Sequence, residues 1–386
     1  MKPRVPFNKP FVAGDELAYI QEAIANGHLS GNGPFTKRCQ AWIEQRLTCR
    51  RALLTHSCTA ALEMAALLTE MGPGDEVIMP SFTFVSTANA FALRGTTPVF
   101  VDIRPDTLNL DESRIEAAIT PRTRAIVPVH YAGVGCEMDV ICEIARERGL
   151  FVVEDAAQGV MGAYKGRPLG SIGDASAVSF HETKNVIAGE GGALIVNRPE
   201  WLDRAEILWE KGTNRTSFSR GEVDKYSWID LGSSFLPSEI NAAFLCAQLE
   251  HAEAITRRRL AIWQAYHEQL APLESSSGVL RRPIVPDTCT ANAHMYYVLV
   301  ARPDLRTGLM GALNEHGINA VTHYVPLHLA PAGRRFGRAS GALDVTESVG
   351  GRLVRLPLFP AMTDDDVSAV TTAVTSWAAS AAGCMR

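Results

Sequence analysis

The sequence predicts an α/β protein: a large domain on a mixed, mostly parallel sheet covered by helices, then a smaller C-terminal α/β domain. Three observations predict it. Short apolar runs alternate with helical patterns from about residue 50 to residue 200, the layout of strand–helix–strand units. A second, shorter set of strand and helix patterns begins near residue 295. The 386 residues exceed what one hydrophobic core usually organises. The large domain is placed over residues 13–245, and the small one, with a long connecting helix, over 246–386.

In chain order, strands are expected at the short apolar runs 52–54, 76–79, 98–101, 125–129, 150–153 and 175–180, all but the first containing β-branched or aromatic residues. Helices are expected to start near Thr59, Ser86, Asp111 and Met138. Gly72-Pro73-Gly74-Asp75 is a turn signal between a helix and the strand that follows. From about residue 236 a helical pattern runs towards Leu273 as the connector. Beyond it, residues 295–300 and 352–356 read as strands and 304–316 as a helix. The last helix is expected to begin at Thr363, an N-cap followed by three aspartates that suit the positive end of the helix dipole.

Composition narrows the function. A net charge of −5 without a basic block gives no footprint for nucleic acid. Behind MKPRVPFNKP no apolar run reaches the length of a membrane span, so no membrane partner and a cytoplasmic location are expected. The eight cysteines (Cys39, Cys49, Cys58, Cys136, Cys142, Cys246, Cys289, Cys384) lack C-x-x-C spacing. That argues against a disulfide framework and a zinc site; they read as small core residues or inert thiols. The sequon Asn214-Arg215-Thr216 would matter only in a secreted protein.

In open sheets ligands collect beyond the carboxyl ends of the strands. Three polar segments stand at such ends: residues 55–59, 154–158 and 179–184. Lys184 precedes the glycine-rich run 189–192 and could form a Schiff base, although a lone lysine is more often a solvated charge. Asp155, at the end of a buried strand, needs a partner, and a protonated pyridine nitrogen would be one; a helix cap or ion pair is the plainer account. Ser57, Cys58 and Thr59 open an apolar helix, where hydroxyls and free N–H groups can cradle a phosphate; simple capping would explain one hydroxyl. Phe84 could stack on an aromatic ring or belong to the core. Gly133-Val134-Gly135 and Gly31-Asn32-Gly33 lack the third glycine of a dinucleotide fingerprint. His181-Glu182 begins a zinc-protease pattern that fails at Asn185.

The run Glu154-Asp155-Ala156-Ala157-Gln158, then residues 179–185, then Gly189-Glu190-Gly191-Gly192, resembles the sugar nucleotide aminotransferases of the DegT/StrS type. The likeness extends from Pro6 to the last helix. Through residues 57–59, 80–92, 130–133, 211–215, 232–234, 292–295 and 326–328 it is closest to the subgroup that makes dTDP-4-amino-4,6-dideoxygalactose. The resemblance implies the PLP-dependent aspartate aminotransferase fold (type I), with pyridoxal 5′-phosphate as cofactor and pyridoxamine phosphate as its intermediate form. It implies a homodimer with the site at the interface. Glutamate would donate the amino group to C4 of dTDP-4-keto-6-deoxyglucose. Lys184 then becomes the catalytic Schiff-base lysine, Asp155 the partner of the pyridine nitrogen and Gln158 the contact to the ring hydroxyl. Ser179, Cys58, Thr59 and Ser57 hold the phosphate, and Phe84 stacks on the ring. Ser234 stands where many relatives carry an asparagine that reaches the neighbouring subunit's phosphate and can still donate to it with shorter reach, and Leu236 stands where they often have arginine. Substrate contacts are expected from His181, Asn214, Arg215, His323, Tyr324 and His328. Three alternatives stay open: another nucleotide, amination at C3, and a non-catalytic sensor of nucleotide sugars. Sugar dehydratases of this type replace the lysine by histidine, which Lys184 argues against.

Overall fold

In the computed structural model, which describes residues 4–383, seven strands and one short edge segment form a single sheet. The strands are β1 (Arg51–Thr55), β2 (Glu76–Pro80), β3 (Thr97–Val101), β4 (Thr123–Ile126), β5 (Phe151–Asp155), β6 (Ala175–Ser179) and β7 (Gly192–Val196). Their order is β1-β7-β6-β5-β4-β2-β3, and Arg338–Ala339 pairs beyond β3. Only β7 runs against its neighbours; the remaining pairings are parallel. Apart from partly covered first residues and Arg124, the strand positions are buried, as expected of a sheet covered on both faces. The parallel topology sets Thr55, Asp155 and Ser179 along one edge, and Gly192 pairs with both Thr55 and Ser179 there.

Around the sheet lie α1 (Glu16–Ala25), α2 (Pro34–Leu47), α3 (Cys58–Leu68), α4 (Val85–Ala92) and α5 (Met138–Arg148). In α3 the buried alanines 60, 61, 65 and 66 let the helix lie close to β6 and β7. Its Leu62, Met64 and Leu68 are also buried, each worth about 1.5–3 kcal/mol of apolar transfer. The connector is not one helix but α6 (Glu239–Glu250) and α7 (Ala252–Gln269), then a short helix at Ala271–Ser277. No proline or glycine marks the first break; His251 leaves helical geometry, and its ring bonds Asp15 at 3.0 Å. The break is thus set by tertiary contacts, which periodicity does not register.

A second sheet of three strands comprises β8 (Leu280–Arg281), β9 (Tyr296–Val300) and β10 (Leu353–Leu356), packed with α8 (Pro303–Glu315), α9 (Asp344–Arg352) and α10 (Asp364–Gly383). Thr363 caps α10 as expected: its Oγ1 accepts from Asp366 N at 3.1 Å while the Asp366 carboxylate accepts from Thr363 N at 3.0 Å. Asp102, just past β3, accepts from the N–H groups of Val345 and Thr346, so the start of α9 is tied to the large sheet. Two other expectations fail locally. Near Asp111 only a 3-10 turn and the four residues Ile115–Ala118 form, ahead of Pro121. The strand at 125–129 stops at Ile126, because Pro128 has no N–H to pair. Seven cysteines are free thiols, and Cys384 lies outside the described residues. No described helix is long and apolar enough to cross a membrane.

Candidate active site

The edge where β1, β5 and β6 end opens into a cavity of about 600 Å³. One wall is the start of α3. Ser57 caps this helix, its Oγ accepting from Ala60 N at 3.1 Å. The N–H groups of Cys58 and Thr59 have no intrahelical acceptor, because the residues four positions earlier belong to β1. Gly192 supports this turn from behind: a Cβ there would stand 2.5 Å from Cys58 N and 2.6 Å from the Ser57 carbonyl carbon. Burial pushes the Cys58 thiol far above its usual value, so it stays neutral and adds no repulsion to a bound anion. Ser179 lines the same end, and Thr59 Oγ1 is held at 2.8 Å from Ser86 Oγ.

The opposite requirements, a carboxylate and an amine, meet in the middle. Asp155 is 4% exposed and its two oxygens are held by Thr87 Oγ1 at 2.7 Å and Ala157 N at 3.1 Å. Thr87 is fixed in turn by Thr83 at 2.8 Å. Lys184 follows β6, and its ammonium has no hydrogen-bond or ion-pair partner among the described residues. Burial lowers its pKa first, and the charge of Arg355 acts the same way, against the opposing pull of the Asp155 carboxylate. A lysine without a counter-ion and with a depressed pKa is poised as a nucleophile and proton carrier.

The far wall is aromatic. Gln158 accepts from Ala132 N at 2.7 Å and donates to the Tyr324 hydroxyl at 3.0 Å, which locks both side chains. His323 stacks on Tyr324 with ring centres 3.7 Å apart and meets the Tyr131 hydroxyl at 2.6 Å through Nδ1. His294 is fixed by Asn185 at 3.1 Å. Burial drives both imidazoles well below their ordinary range, with nearby Lys184 and Arg355 adding to the effect, so both are neutral. Phe84, 56% exposed, stands at the mouth 6.4 Å from the Tyr324 ring.

An anion cradle at a helix start, a fixed carboxylate and an uncompensated amine in one cavity match the three polar ends of pyridoxal phosphate: phosphate, ring nitrogen and aldehyde. Comparison with known proteins agrees. The model of the DegT/DnrJ/EryC1/StrS aminotransferase family matches residues 11–375. The chain belongs to that family. It is a sugar aminotransferase with the fold of the PLP-dependent enzymes. It is 35% identical to the spore coat polysaccharide biosynthesis protein SpsC of Bacillus subtilis (strain 168) over 378 residues, 96% of each chain. Among solved structures it resembles the aminotransferase TlmJ of Streptoalloteichus hindustanus, with a TM-score of 0.89, 32% identity and 98% and 99% of the two chains covered. It also resembles DesV of S. venezuelae, solved in complex with a ketimine intermediate, with a TM-score of 0.88, 32% identity and 97% and 99% covered.

Of the residues singled out in the aminotransferase sequence, the cavity gathers Ser57, Cys58, Thr59, Phe84, Asp155, Gln158, Ser179, His181, Lys184, His323 and Tyr324. His181 bonds Thr183 Oγ1 at 2.9 Å and lies 3.6 Å from Glu190. Four others do not line it. His328 is held outside, Nδ1 on Ser81 Oγ at 2.7 Å and Nε2 on Glu347 at 3.1 Å. Asn214, Arg215 and Ser234 sit on a surface segment, where Asn214 accepts from Ser227 N at 2.7 Å and Ser234 is exposed. The sequence reading passed over His294 and Arg355, which line the cavity, and Thr87, which holds Asp155 from outside it. Thr87 had no distinguishing signal. His294 sits in a recognised motif without a role, and Arg355 was detectable as one charge inside the apolar strand of residues 353–356.

Proposed function

We propose that the cavity binds pyridoxal 5′-phosphate. In this reading the protein converts dTDP-4-keto-6-deoxy-D-glucose to dTDP-4-amino-4,6-dideoxy-D-galactose, with L-glutamate as amino donor. The observation that carries the chemistry is the convergence of Lys184, Asp155 and the start of α3 on one cavity. The choice of sugar rests on the sequence motifs given above.

The N–H groups of Cys58 and Thr59, with the Ser179 hydroxyl, would hold the phosphate, and Asp155 would keep a proton on the ring nitrogen. When bound, the cofactor would supply an electron sink beside the reacting carbon. Lys184 would hold the cofactor through its side-chain nitrogen and, when that nitrogen is free, would take and return the proton of the reacting substrate carbon. Thr87 and Ala157 keep Asp155 aimed throughout. Gln158 and Phe84 position the ring. His181, His323 and Tyr324 contact the sugar.

Asn214, Arg215, His328 and Ser234 act across a two-fold dimer interface in this proposal. The exposed Tyr226, Trp228, Ile229 and Leu231, on the same segment as three of them, support a partner chain there. We place the enzyme in the cytoplasm, where free thiols persist.

The test is spectroscopic. Holoenzyme is converted with glutamate to the pyridoxamine form, desalted and mixed with the keto sugar. Return of the original absorbance band supports this substrate. Loss of the band with glutamate but no return with this sugar removes the substrate assignment and keeps the chemistry. No response to glutamate, with intact sugar binding, favours a sensor.

A further inference from the structure

Tyr131 stands behind the aromatic wall and does not line the cavity itself. It opens the 3-10 turn Tyr131–Gly133, is fully buried, and packs its ring against Phe82, Tyr297 and His323 with centres 5.2, 5.9 and 5.4 Å apart. Its hydroxyl meets His323 Nδ1 at 2.6 Å and no other side chain among the described residues. Burial keeps this phenol protonated well above its ordinary range, and His323 is neutral. A neutral imidazole carries one donor and one acceptor nitrogen. Were the proton on Nδ1, the Tyr131 hydroxyl would have to accept, and its own hydrogen would be buried without a partner, which costs more than an ordinary hydrogen bond returns. Tyr131 therefore donates, Nδ1 accepts, and the proton of His323 sits on Nε2. Nε2 has no partner among the described residues, and it is the nitrogen left for the cavity that His323 lines.

The adjacent Tyr324 obeys the same accounting. Gln158 Oε1 accepts from Ala132 N, which orients the amide, so its NH2 group donates to the Tyr324 oxygen and the phenol keeps its own proton free. Because His323 and Tyr324 stack with ring centres 3.7 Å apart, the wall carries two donors side by side. His294 is the opposite case. Asn185 donates its amide to the Asn292 carbonyl at 2.7 Å, so its oxygen accepts from His294 Nδ1–H, and Nε2 of that ring holds a lone pair.

We propose that Tyr131 is the positioning residue that fixes His323 as a hydrogen-bond donor. Accepting that His323 contacts the keto sugar, its Nε2–H and the Tyr324 hydroxyl serve an oxygen acceptor of that substrate. Both nitrogens of His323 are then committed, so this ring cannot take the proton of the reacting carbon, and that task stays with Lys184.

The test uses holoenzyme labelled at its histidine nitrogens and read by nitrogen NMR. Wild type is expected to show His323 protonated at Nε2 and bare at Nδ1, with His294 the reverse. Each signal is assigned by its loss in His323→Phe or His294→Asn; His323→Gln serves if His323→Phe does not fold. Tyr131→Phe keeps the ring and removes only the hydroxyl. In it the His323 proton should divide between the two nitrogens. The keto-sugar half-reaction should slow about three- to tenfold, the worth of one hydrogen bond, while the glutamate half moves less than twofold. On a His323→Phe background the same change should cost the sugar half nothing further, which a general loss of packing would not obey. A proton on Nδ1, a doubly protonated ring, or an unchanged tautomer in Tyr131→Phe overturns the proposal. Equal slowing with and without His323 does so as well. If Tyr131→Phe does not fold, judged by cofactor spectrum and thermal midpoint, the wild-type tautomer decides. A tautomer that depends on Tyr131 while neither half-reaction moves removes the sugar contact of His323 and keeps the assignment of Tyr131.

Discussion

Substituting Gly192→Ala probes how the sheet builds the phosphate cradle. The added Cβ would stand 2.5 Å from Cys58 N, 2.6 Å from the Ser57 carbonyl carbon and 2.7 Å from Cys58 Cα. All three are backbone atoms, so no side-chain rotation relieves the overlap. Ordinary contact needs about 3.5 Å, so the turn must retreat by most of an ångström. Gly192 is locked by pairing to Thr55 and Ser179, and the strain falls on the start of α3. Overpacking typically costs about 1–3 kcal/mol, and backbone neighbours put this site at the upper end. A chain of 386 residues unfolds with an entropy of about 0.8 kcal/mol/K, so about 3 kcal/mol lowers the midpoint by about 4 °C. The two first-turn N–H groups move with the turn, so cofactor affinity should fall at least about tenfold, the equivalent of 1.4 kcal/mol. Calorimetry and a cofactor titration measure both. As a control, Gly311→Ala, in α8 with nothing within 4 Å of the added carbon, should stabilise by about 0.5–1 kcal/mol. A Gly192→Ala protein with wild-type midpoint and cofactor affinity would refute the cradle.

Lys184→Ala should still bind pyridoxal phosphate noncovalently but show no glutamate half-reaction, read from the cofactor spectrum. Thr87→Val removes one of the two hydrogen bonds on Asp155 and strands the Thr83 hydroxyl; it should cost about 1.5–3 kcal/mol of cofactor binding, measured by titration. His294 and His323 are held neutral in the fold while the unfolded chain protonates them near pH 6.5, so the unfolded state binds more protons below that value. Stability should therefore drop as pH falls from about 6.5, by up to about 1.4 kcal/mol per pH unit for each histidine, and the slope should flatten in His294→Asn with His323→Asn. Trp228→Asp with Leu231→Asp should give monomers in sedimentation, since both side chains are exposed apolar surface in the single chain.

Much of the fold was legible because most strands of the parallel core carry a short apolar run, with Thr55, Asp102, Asp155 and Ser179 at or just past the carboxyl ends of four of them. Asp155 and Lys184 could be marked in this way. What escaped was set across long distances. Thr87 positions Asp155 from 68 residues away, a relation created by the sheet order and not by any local pattern. Ser57 reads equally well as a phosphate ligand or a cap; its hydroxyl is committed to Ala60 N, leaving the neighbouring N–H groups free. His328 looked like a pocket residue from its motif, yet Ser81 and Glu347 hold it outside. The antiparallel β7 was not anticipated, because a short run after glycines carries no signal of direction. Asn214, Arg215 and Ser234 lie on surface whose proposed counterpart is a second chain, which one sequence read alone cannot place.

The charges of the cavity explain how one site can serve two unlike substrates. Burial removes Cys58, His294 and His323 from the ionic inventory, leaving Lys184 and Arg355 as cations and Asp155 as the enclosed anion. Asp155 is consumed by the ring nitrogen and Lys184 by the cofactor carbon in the proposed holoenzyme. That leaves Arg355 as the one enclosed charge free to choose between ligands. A neutral keto sugar ring offers that guanidinium only hydroxyl and carbonyl oxygens. The sugar must therefore gain its binding energy from contacts away from the reacting carbon, on the nucleotide and across the proposed dimer interface. A keto sugar stripped of its nucleotide should consequently lose the second half-reaction while leaving the glutamate half untouched. Single-turnover rates with and without the nucleotide would show it, and equal rates would mean that the sugar is recognised inside the cavity itself.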